Sequence, residues 1–447
     1  MTEKQLLTNN TIVLTIAGSD SGGGAGVAAD LKTFAALGVH GTCAITSVTA
    51  QNTTGVLETF DLPPAAVISQ IEAVCMDMEI KWVKTGMLAS PPIIREVANE
   101  VKKHELSLVL DPVIAAEAGG NLLREESLPV LIEELLPLCK VVTPNAMEAG
   151  ALAGISVKNP EDAKIAAKKI ADLGVEAVIV TGGHLDATDL LYETYSDTFT
   201  SIPGTFVRGG THGSGCTYSA AMTSFLAFGK SLEEAAKESK KFVMHAIMKS
   251  RPTGRGVNPV NPLGTTLEEK ERYLVLRNLK EAILILEKSP DFQKFIPEVG
   301  CNIGMAIPDA HNLEEVAAVE GKIVRYRGRA VSVGCVEFGA ERHVARIILS
   351  AIRYNSKIRA AINIRYSERN LSLCREAGLS LSPFDRAKER ENYTTMHCDT
   401  VETVKIQRSM MKGIYDTGDL GKEPMIHLLG TSAIEIAKLV VELAEDL

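Results

Sequence analysis

Through the first 250 residues, short apolar runs alternate with amphipathic stretches. The runs 13–17, 44–49, 82–85, 107–110, 141–143 and 177–180 are short and mainly apolar, so they read as strands buried on both faces. Between and after them, 26–37, 64–77, 91–104, 127–137, 159–173, 217–228 and 232–248 carry apolar residues at helical spacing. Such β-α repetition predicts a largely parallel sheet covered by helices, with ligands gathering beyond the carboxyl ends of the strands. The stretch 255–266 is rich in proline and glycine and has no periodic pattern, which predicts a domain boundary. At 447 residues the chain exceeds one ordinary core, and the expected domains are 1–262 and 268–447.

Chemistry-bearing residues cluster at those strand ends. The first strand runs into a glycine-rich loop, 17–26, and then a helix whose first turns carry Asp30. The loop lacks both GxGxxG and GxxxxGK[ST] spacing, so close backbone approach to a small substrate suits it better than a dinucleotide. Asp30 either aims back at the glycines or is a solvated helix-start acid. Gln51 ends the second strand, where an amide offers the donor and acceptor that an amino-substituted heteroaromatic ring needs, unless it is a turn residue. Met87, in Thr85-Gly86-Met87-Leu88, packs on a flat ring or belongs to the core.

Asp111, Asn145 and Glu148 follow two further strands and are oxygen donors of the kind Mg²⁺ takes while keeping waters and phosphate oxygens. Thr181-Gly182-Gly183-His184 ends the strand before a second glycine-rich segment and is placed to approach nucleotide phosphates. That segment, Gly209 to Cys216, opens directly into a helix. Gly213, Ser214 and Gly215 there supply amides to an anion hole, and the helix start favours the thiolate of Cys216.

Charge and composition narrow the class. The chain is 45% apolar and 23% charged with a formal charge of −9, as in a soluble globular protein without general attraction to nucleic acid or membranes. Eight cysteines are scattered without CxxC, and the several that lie in apolar runs read as small buried hydrophobes. With no signal peptide and no 18-residue apolar run, a cytoplasmic protein is expected. One segment departs from this balance. Between Glu320 and Asn370, eleven Lys or Arg face four Glu, a local +7. It lacks aromatic interleaving, zinc-finger spacing and a recognition helix, and its cations alternate with apolar residues. That favours a pocket for a small polyanion over nucleic acid. His343, between Arg342 and Arg346, either touches that anion or is a satisfied core histidine.

Seven segments in order, 17–34, 48–53, 84–88, 110–113, 143–149, 181–184 and 210–221, resemble the hydroxymethylpyrimidine and hydroxymethylpyrimidine-phosphate kinases of thiamine biosynthesis. These form a branch of the ribokinase-like fold. The resemblance implies a three-layer αβα domain that uses ATP and Mg²⁺. It places the pyrimidine among Gly18, Asp30, Gln51, Met87 and Val113, nucleotide near Asn145, Thr181 and Gly183, and metal at Asp111 and Glu148. Cys216 takes the place of the aspartate base usual in the superfamily. Some relatives have lysine where Thr181 stands, so Lys84 or Mg²⁺ is expected to cover that charge. A vitamin B6 kinase is the rival reading.

The second half resembles an archaeal-type thiamine-phosphate synthase domain in 307–325, 338–349, 358–366 and 425–430. It implies a second, smaller α/β domain that joins hydroxymethylpyrimidine diphosphate to hydroxyethylthiazole phosphate and releases pyrophosphate. His343 and Arg346 are the expected catalytic residues, and Arg342 and Arg365 the expected substrate contacts. Glu341 stands where relatives commonly have serine, so pairing with Arg342 is expected to disturb the phosphate grip. The rival is a domain that only senses thiamine precursors. A homo-oligomer with small-molecule partners is expected.

Overall fold

The apolar runs pair side by side in a nine-stranded sheet. In the computed structural model, which describes residues 11–114, 122–184, 186–383, 411–418 and 423–446, the strands are β1 (Ile12–Asp20), β2 (His40–Asn52), β3 (Gly55–Asp61), β4 (Trp82–Thr85), β5 (Ser107–Leu110), β6 (Cys139–Val142), β7 (Ala177–Val180), β8 (Asp189–Glu193) and β9 (Thr198–Ile202). Their order across the sheet is β3-β2-β1-β4-β5-β6-β7-β8-β9. The central strands β2, β1, β4, β5, β6 and β7 are parallel; both edges close with antiparallel pairs. Four-residue strands suffice at the centre because every position of β7 is buried from both sides.

Helices α1 (Gly26–Ala36), α2 (Pro64–Cys75), α3 (Pro91–Lys103), α4 (Ala146–Ala153), α5 (Pro160–Ala171), α6 (Ser214–Ala227) and α7 (Leu232–Met248) cover the two faces. The expected helix over 127–137 is broken into a short α turn, a wide turn and a 3₁₀ turn, with prolines at 129 and 137. α6 is buried on every side from Thr217 to Leu226, as befits a helix wedged between layers.

The chain forms two compact units, Met1–Thr266 and Leu267–Leu447. The proline- and glycine-rich stretch is no free tether. Val257 N–H donates to Thr53 O, Val260 N–H to His212 O and Asn261 N–H to Ala246 O, so this strap belongs to the first unit. It then enters α8 (Gly264–Lys288), whose Val275, Leu279, Ala282, Ile283 and Leu286 form a stripe in the second core.

The second unit has strands β10 (Ile303–Ala306), β11 (Val316–Val319), β12 (Lys322–Tyr326), β13 (Arg329–Val333), β14 (Val336–Phe338), β15 (Ala360–Arg365), β16 (Ser380–Pro383), β17 (Met411–Tyr415) and β18 (Met425–Gly430). Its main sheet runs β14-β11-β10-β15-β18-β17-β16, antiparallel except between β16 and β17, with β12 and β13 as a separate ribbon. Helices α9 (Arg342–Ile352), α10 (Glu368–Glu376) and α11 (Ala433–Glu445) complete it. Cys139, Cys301 and Cys374 are buried, the small-hydrophobe role that their apolar runs suggest. Cys398 lies outside the described residues. Among the described residues no helix is long and apolar enough to cross a membrane.

Candidate active site

A cavity of about 710 Å³ opens at the carboxyl ends of the parallel strands of the first unit. Gly18, Gln51, Met87 and Val113 line one end; Thr181, Gly183, Asp189, Phe206, Lys240 and Met244 line the other. The turn Thr211–Cys216, Asp111, Asn145 and Glu148 also line it. Gly18 is small for a reason visible in its neighbours: a Cβ there would sit 3.0 Å from Met87 Sδ. Gln51 is almost buried, and its side-chain amide lies 3.1 Å from Thr49 Oγ1, whose proton goes to Ser19 O at 2.7 Å.

Asp30 corrects the sequence reading. Its carboxylate is fully buried, does not line the cavity, and bonds Thr15 Oγ1 at 2.6 Å and Lys84 Nζ at 3.0 and 3.1 Å. It holds Lys84 instead of substrate. Burial works against the ammonium of Lys84, but Asp30, Cys216 and Asp111 outweigh it and keep Lys84 charged. Lys84 lines the cavity 3.8 Å from Asp111 Oδ2, on β4, three strands from the end of β7 where Thr181 lies. The cation at that end is Lys240, from α7, which the sequence reading missed. Its Nζ is 2.7 Å from Asp189 Oδ1, which also accepts from the Gly182 amide next to Thr181, at 2.7 Å.

Two expectations for the anion turn change. Gly213, at φ +81°, caps α6, but the Ser214 amide donates to Thr211 O at 2.9 Å and is withdrawn from any anion. The helix start offers Gly215 and Cys216 amides in its place. The thiol of Cys216 is pushed up to about 12, first by burial and then by Asp111 and Asp30, against the pull of Lys84 and the Gly26 amide. A helix N-terminus alone would favour the thiolate; here burial, with Asp111 and Asp30 added to it, outweighs that.

Asp111 and Glu148 face one another across the cavity wall. Burial, and then the charge of Asp111, push Glu148 up to about 8, and burial likewise raises Asp111. Among the described residues no group of three His, Cys, Asp or Glu is placed to hold a metal ion, so the oxygen donors here are a carboxylate pair. Two carboxylates lining one cavity fit Mg²⁺, which keeps most of its waters. Asn145 is not a further oxygen ligand. Its Oδ1 caps α4, accepting from the Met147 and Glu148 amides at 2.9 and 3.0 Å. Asn145 also lines the cavity.

In the second unit the +7 segment does not converge on one pocket. Arg325 bonds the carbonyls of Gln293 and Ile296, Arg359 that of Ala306, and Lys322 that of Val299, so these cations seal backbone ends. Arg342, His343 and Arg346 stay exposed on the first turns of α9, and Arg365 stays exposed at the end of β15. The rings of His343 and His427 meet edge-on, centroids 5.1 Å apart, with His427 buried in β18 opposite Asn363 of β15. Arg365 lies two residues beyond Asn363 and so on the same sheet face. His427 and Asn363 lie in the family-like segments 425–430 and 358–366, and strand pairing brings them together beside α9. Glu341 does not act as expected: it caps α9, accepting from the His343 and Val344 amides at 3.0 and 2.6 Å.

Comparison with known proteins matches both halves. The sequence model of the phosphomethylpyrimidine kinase family matches residues 20–261, and that of thiamine-phosphate synthase ThiN matches 278–442. The bifunctional thiamine biosynthesis protein ThiDN of Methanocaldococcus jannaschii is 36% identical over 430 residues, 96% of this chain and 97% of that protein. The hydroxymethylpyrimidine/phosphomethylpyrimidine kinase of Haemophilus influenzae is 43% identical over 262 residues, 57% of this chain and 97% of its own. Among solved structures, the ADP complex of Bacillus subtilis pyridoxal kinase superposes with a TM-score of 0.54 at 36% identity, covering 58% of this chain and all of that one. Staphylococcus aureus pyridoxal kinase bound to pyridoxal gives 0.53 at 35% identity, covering 58% and 95%.

Proposed function

The chain belongs to the family of bifunctional thiamine biosynthesis proteins, and on that premise we propose how its two units divide the work. The first phosphorylates 4-amino-5-hydroxymethyl-2-methylpyrimidine twice, to the monophosphate and then the diphosphate. The second condenses the diphosphate with hydroxyethylthiazole phosphate to thiamine phosphate and pyrophosphate. The observation that carries the kinase assignment is one cavity that joins an aminopyrimidine-sized end, a helix-start anion turn and a carboxylate pair.

Gln51 reads the ring edge, while Met87 and Val113 pack its faces. Cys216 stands at the turn, where it takes the proton of the hydroxymethyl group as its oxygen bonds the γ-phosphorus and the bond to the β-phosphate breaks. The ligand-free thiol is protonated, so the base form has to arise on binding; Lys84 and the Gly26 amide are the groups that stabilise it. Gly213, Gly215 and Cys216 amides hold the moving phosphoryl group. Bound at Asp111 and Glu148, Mg²⁺ would neutralise the phosphates of ATP. In the second round the acceptor is a phosphate oxygen, which needs no strong base.

Lys240 swings from Asp189 to the phosphates of the nucleotide and does the work of the lysine absent at position 181. Lys240→Met is expected to weaken ATP binding by about tenfold, the scale of one charge-assisted hydrogen bond, with the pyrimidine KM unmoved. Titrating ATP against both proteins by calorimetry checks this; equal affinities would remove Lys240 from the site.

In the second unit, Arg342, Arg346 and Arg365 grip phosphate and diphosphate, and His343 meets the leaving group on the support of His427. The C–O bond to pyrophosphate breaks, the ring amine stabilises the carbon left behind, and the thiazole nitrogen captures it. Subunits associate as a homo-oligomer in the cytoplasm in this reading. The pyridoxal kinase structures favour a residual activity on pyridoxal in the first unit.

The units fold separately in this account. Fragments cut near Thr265 are expected to be soluble and to keep their own reactions, because the strap stays with the first. A cut at Arg255 should abolish kinase activity. Fragments ending at 254 and at 265, assayed side by side, decide it; equal kinase activity would mean that the strap is dispensable.

A further inference from the structure

The glycine-rich acceptor loop and the anion turn are far apart in sequence yet share a buried pair that the mechanism above does not use. His212 Nε2 lies 3.0 Å from Asp20 Oδ2, the residues separated by 192 positions, and both are about 95% buried, at 5% and 6% exposure. Asp20 also organises its own loop: Oδ1 accepts from the Gly22 amide at 2.7 Å, and Oδ2 from the Gly24 and Ala25 amides at 2.9 Å each. His212 is fixed from behind by the strap, its N–H donating to Asn258 O at 3.2 Å and its carbonyl accepting from Val260 N at 3.0 Å. The two backbones touch as well. A Cβ on Gly213 would fall 1.8 Å from Gly24 O, and one on Gly24 would fall 2.4 Å from His212 Cδ2.

We propose that Asp20 and His212 are a positioning pair that sets the acceptor loop against the anion turn, so that both phosphoryl transfers depend on it to the same degree. This rests on the kinase reading above. The acceptor oxygen and the γ-phosphorus are held by different segments of chain, and their alignment is only as good as the contact between those segments. A displacement of about 1 Å costs on the order of 10²-fold in rate. Burial alone would raise the Asp20 carboxyl, yet His212 and the three amides hold it below its ordinary range, as befits a permanently charged acceptor. The dependence differs in kind from that on Cys216, which bears on the alcohol step above all.

The test uses the full chain with His212→Phe, which keeps ring bulk and removes the nitrogen, His212→Gln, which keeps a donor, and Asp20→Asn. His212→Phe should lower kcat for both phosphorylations by a similar factor, about 10- to 10²-fold, with the KM for ATP within about twofold. His212→Gln should recover most of the loss. Combining His212→Phe with Asp20→Asn should be little worse than the worse single change, because the two act through one contact. Hydrogen exchange gives a reading independent of activity: in His212→Phe, amides 22–25 and 213–216 should both lose protection. Unchanged rates, loss in one step only, or exchange confined to 211–216 would overturn the proposal. A wild-type chain that fails to phosphorylate the pyrimidine would instead overturn the kinase reading, and the exchange arm would still decide the pair. Should His212→Phe not fold, His212→Gln and Asp20→Asn carry the same comparison.

Discussion

Cys216→Ala slows phosphorylation of the free alcohol by about 10²-fold or more, the usual range for losing a general base. The diphosphate-forming step slows far less, because a phosphate oxygen carries no proton that must be removed near neutrality. Folding changes little, since Cys216 lies at the cavity wall and α6 keeps its start at Gly213. Nucleotide binding changes little as well, since the alanine retains the backbone amide. Following monophosphate and diphosphate separately in single-turnover experiments checks this. Equal losses in both steps would leave Cys216 as a packing residue of the anion turn.

Much of this site was legible in the sequence because strands of a parallel sheet deliver their ends to one place. Gly18, Gln51, Met87, Val113, Asp111 and Glu148 each follow an apolar run, and each lines the cavity. What the sequence hid depends on contacts between distant segments. Asp30 looked like a substrate ligand until Lys84, 54 residues away, proved to hold it. Lys240 looked like one more helix-surface lysine until Asp189, 51 residues back, placed it in the cavity. A helix start argued for a thiolate at Cys216, but burial beside Asp111 and Asp30 decided the matter. The strands β3 and β9 escaped because they are antiparallel edge strands, and β3 is largely exposed with no doubly buried run; β8, antiparallel between β7 and β9, is buried but carries only three apolar residues.

The second unit was legible mainly through resemblance. Its strands are short and mostly antiparallel, and its charge count misled. Arg325, Arg359 and Lys322 added to the +7 total while serving as caps for carbonyls. His343 was marked by its neighbours Arg342 and Arg346, and His427 by the segment 425–430, but only the fold puts the two rings in contact.

Neutralising that site has the other large effect. His343→Ala or Arg346→Ala lowers thiamine phosphate formation by about 10²-fold or more, the scale of a charged contact made chiefly in the transition state. Hydroxymethylpyrimidine diphosphate then accumulates, because both residues lie in the second unit and the kinase cavity is untouched. His427→Phe should follow His343→Ala in direction, with a smaller loss, since it acts through the neighbouring ring. Product analysis by chromatography separates the diphosphate from thiamine phosphate. A loss of both products together would place these residues in the fold of the whole chain and not in the condensation.

The most direct test of the two-reaction account bypasses the kinase. Purified hydroxymethylpyrimidine diphosphate and hydroxyethylthiazole phosphate, with Mg²⁺, are supplied to the fragment 268–447 and to the intact chain, and thiamine phosphate and pyrophosphate are measured. The account predicts both products in equal amounts from each protein. Tight binding of thiamine phosphate by a well-folded fragment, with no condensation from it or from the intact chain, would contradict it and reduce the second unit to a binding domain.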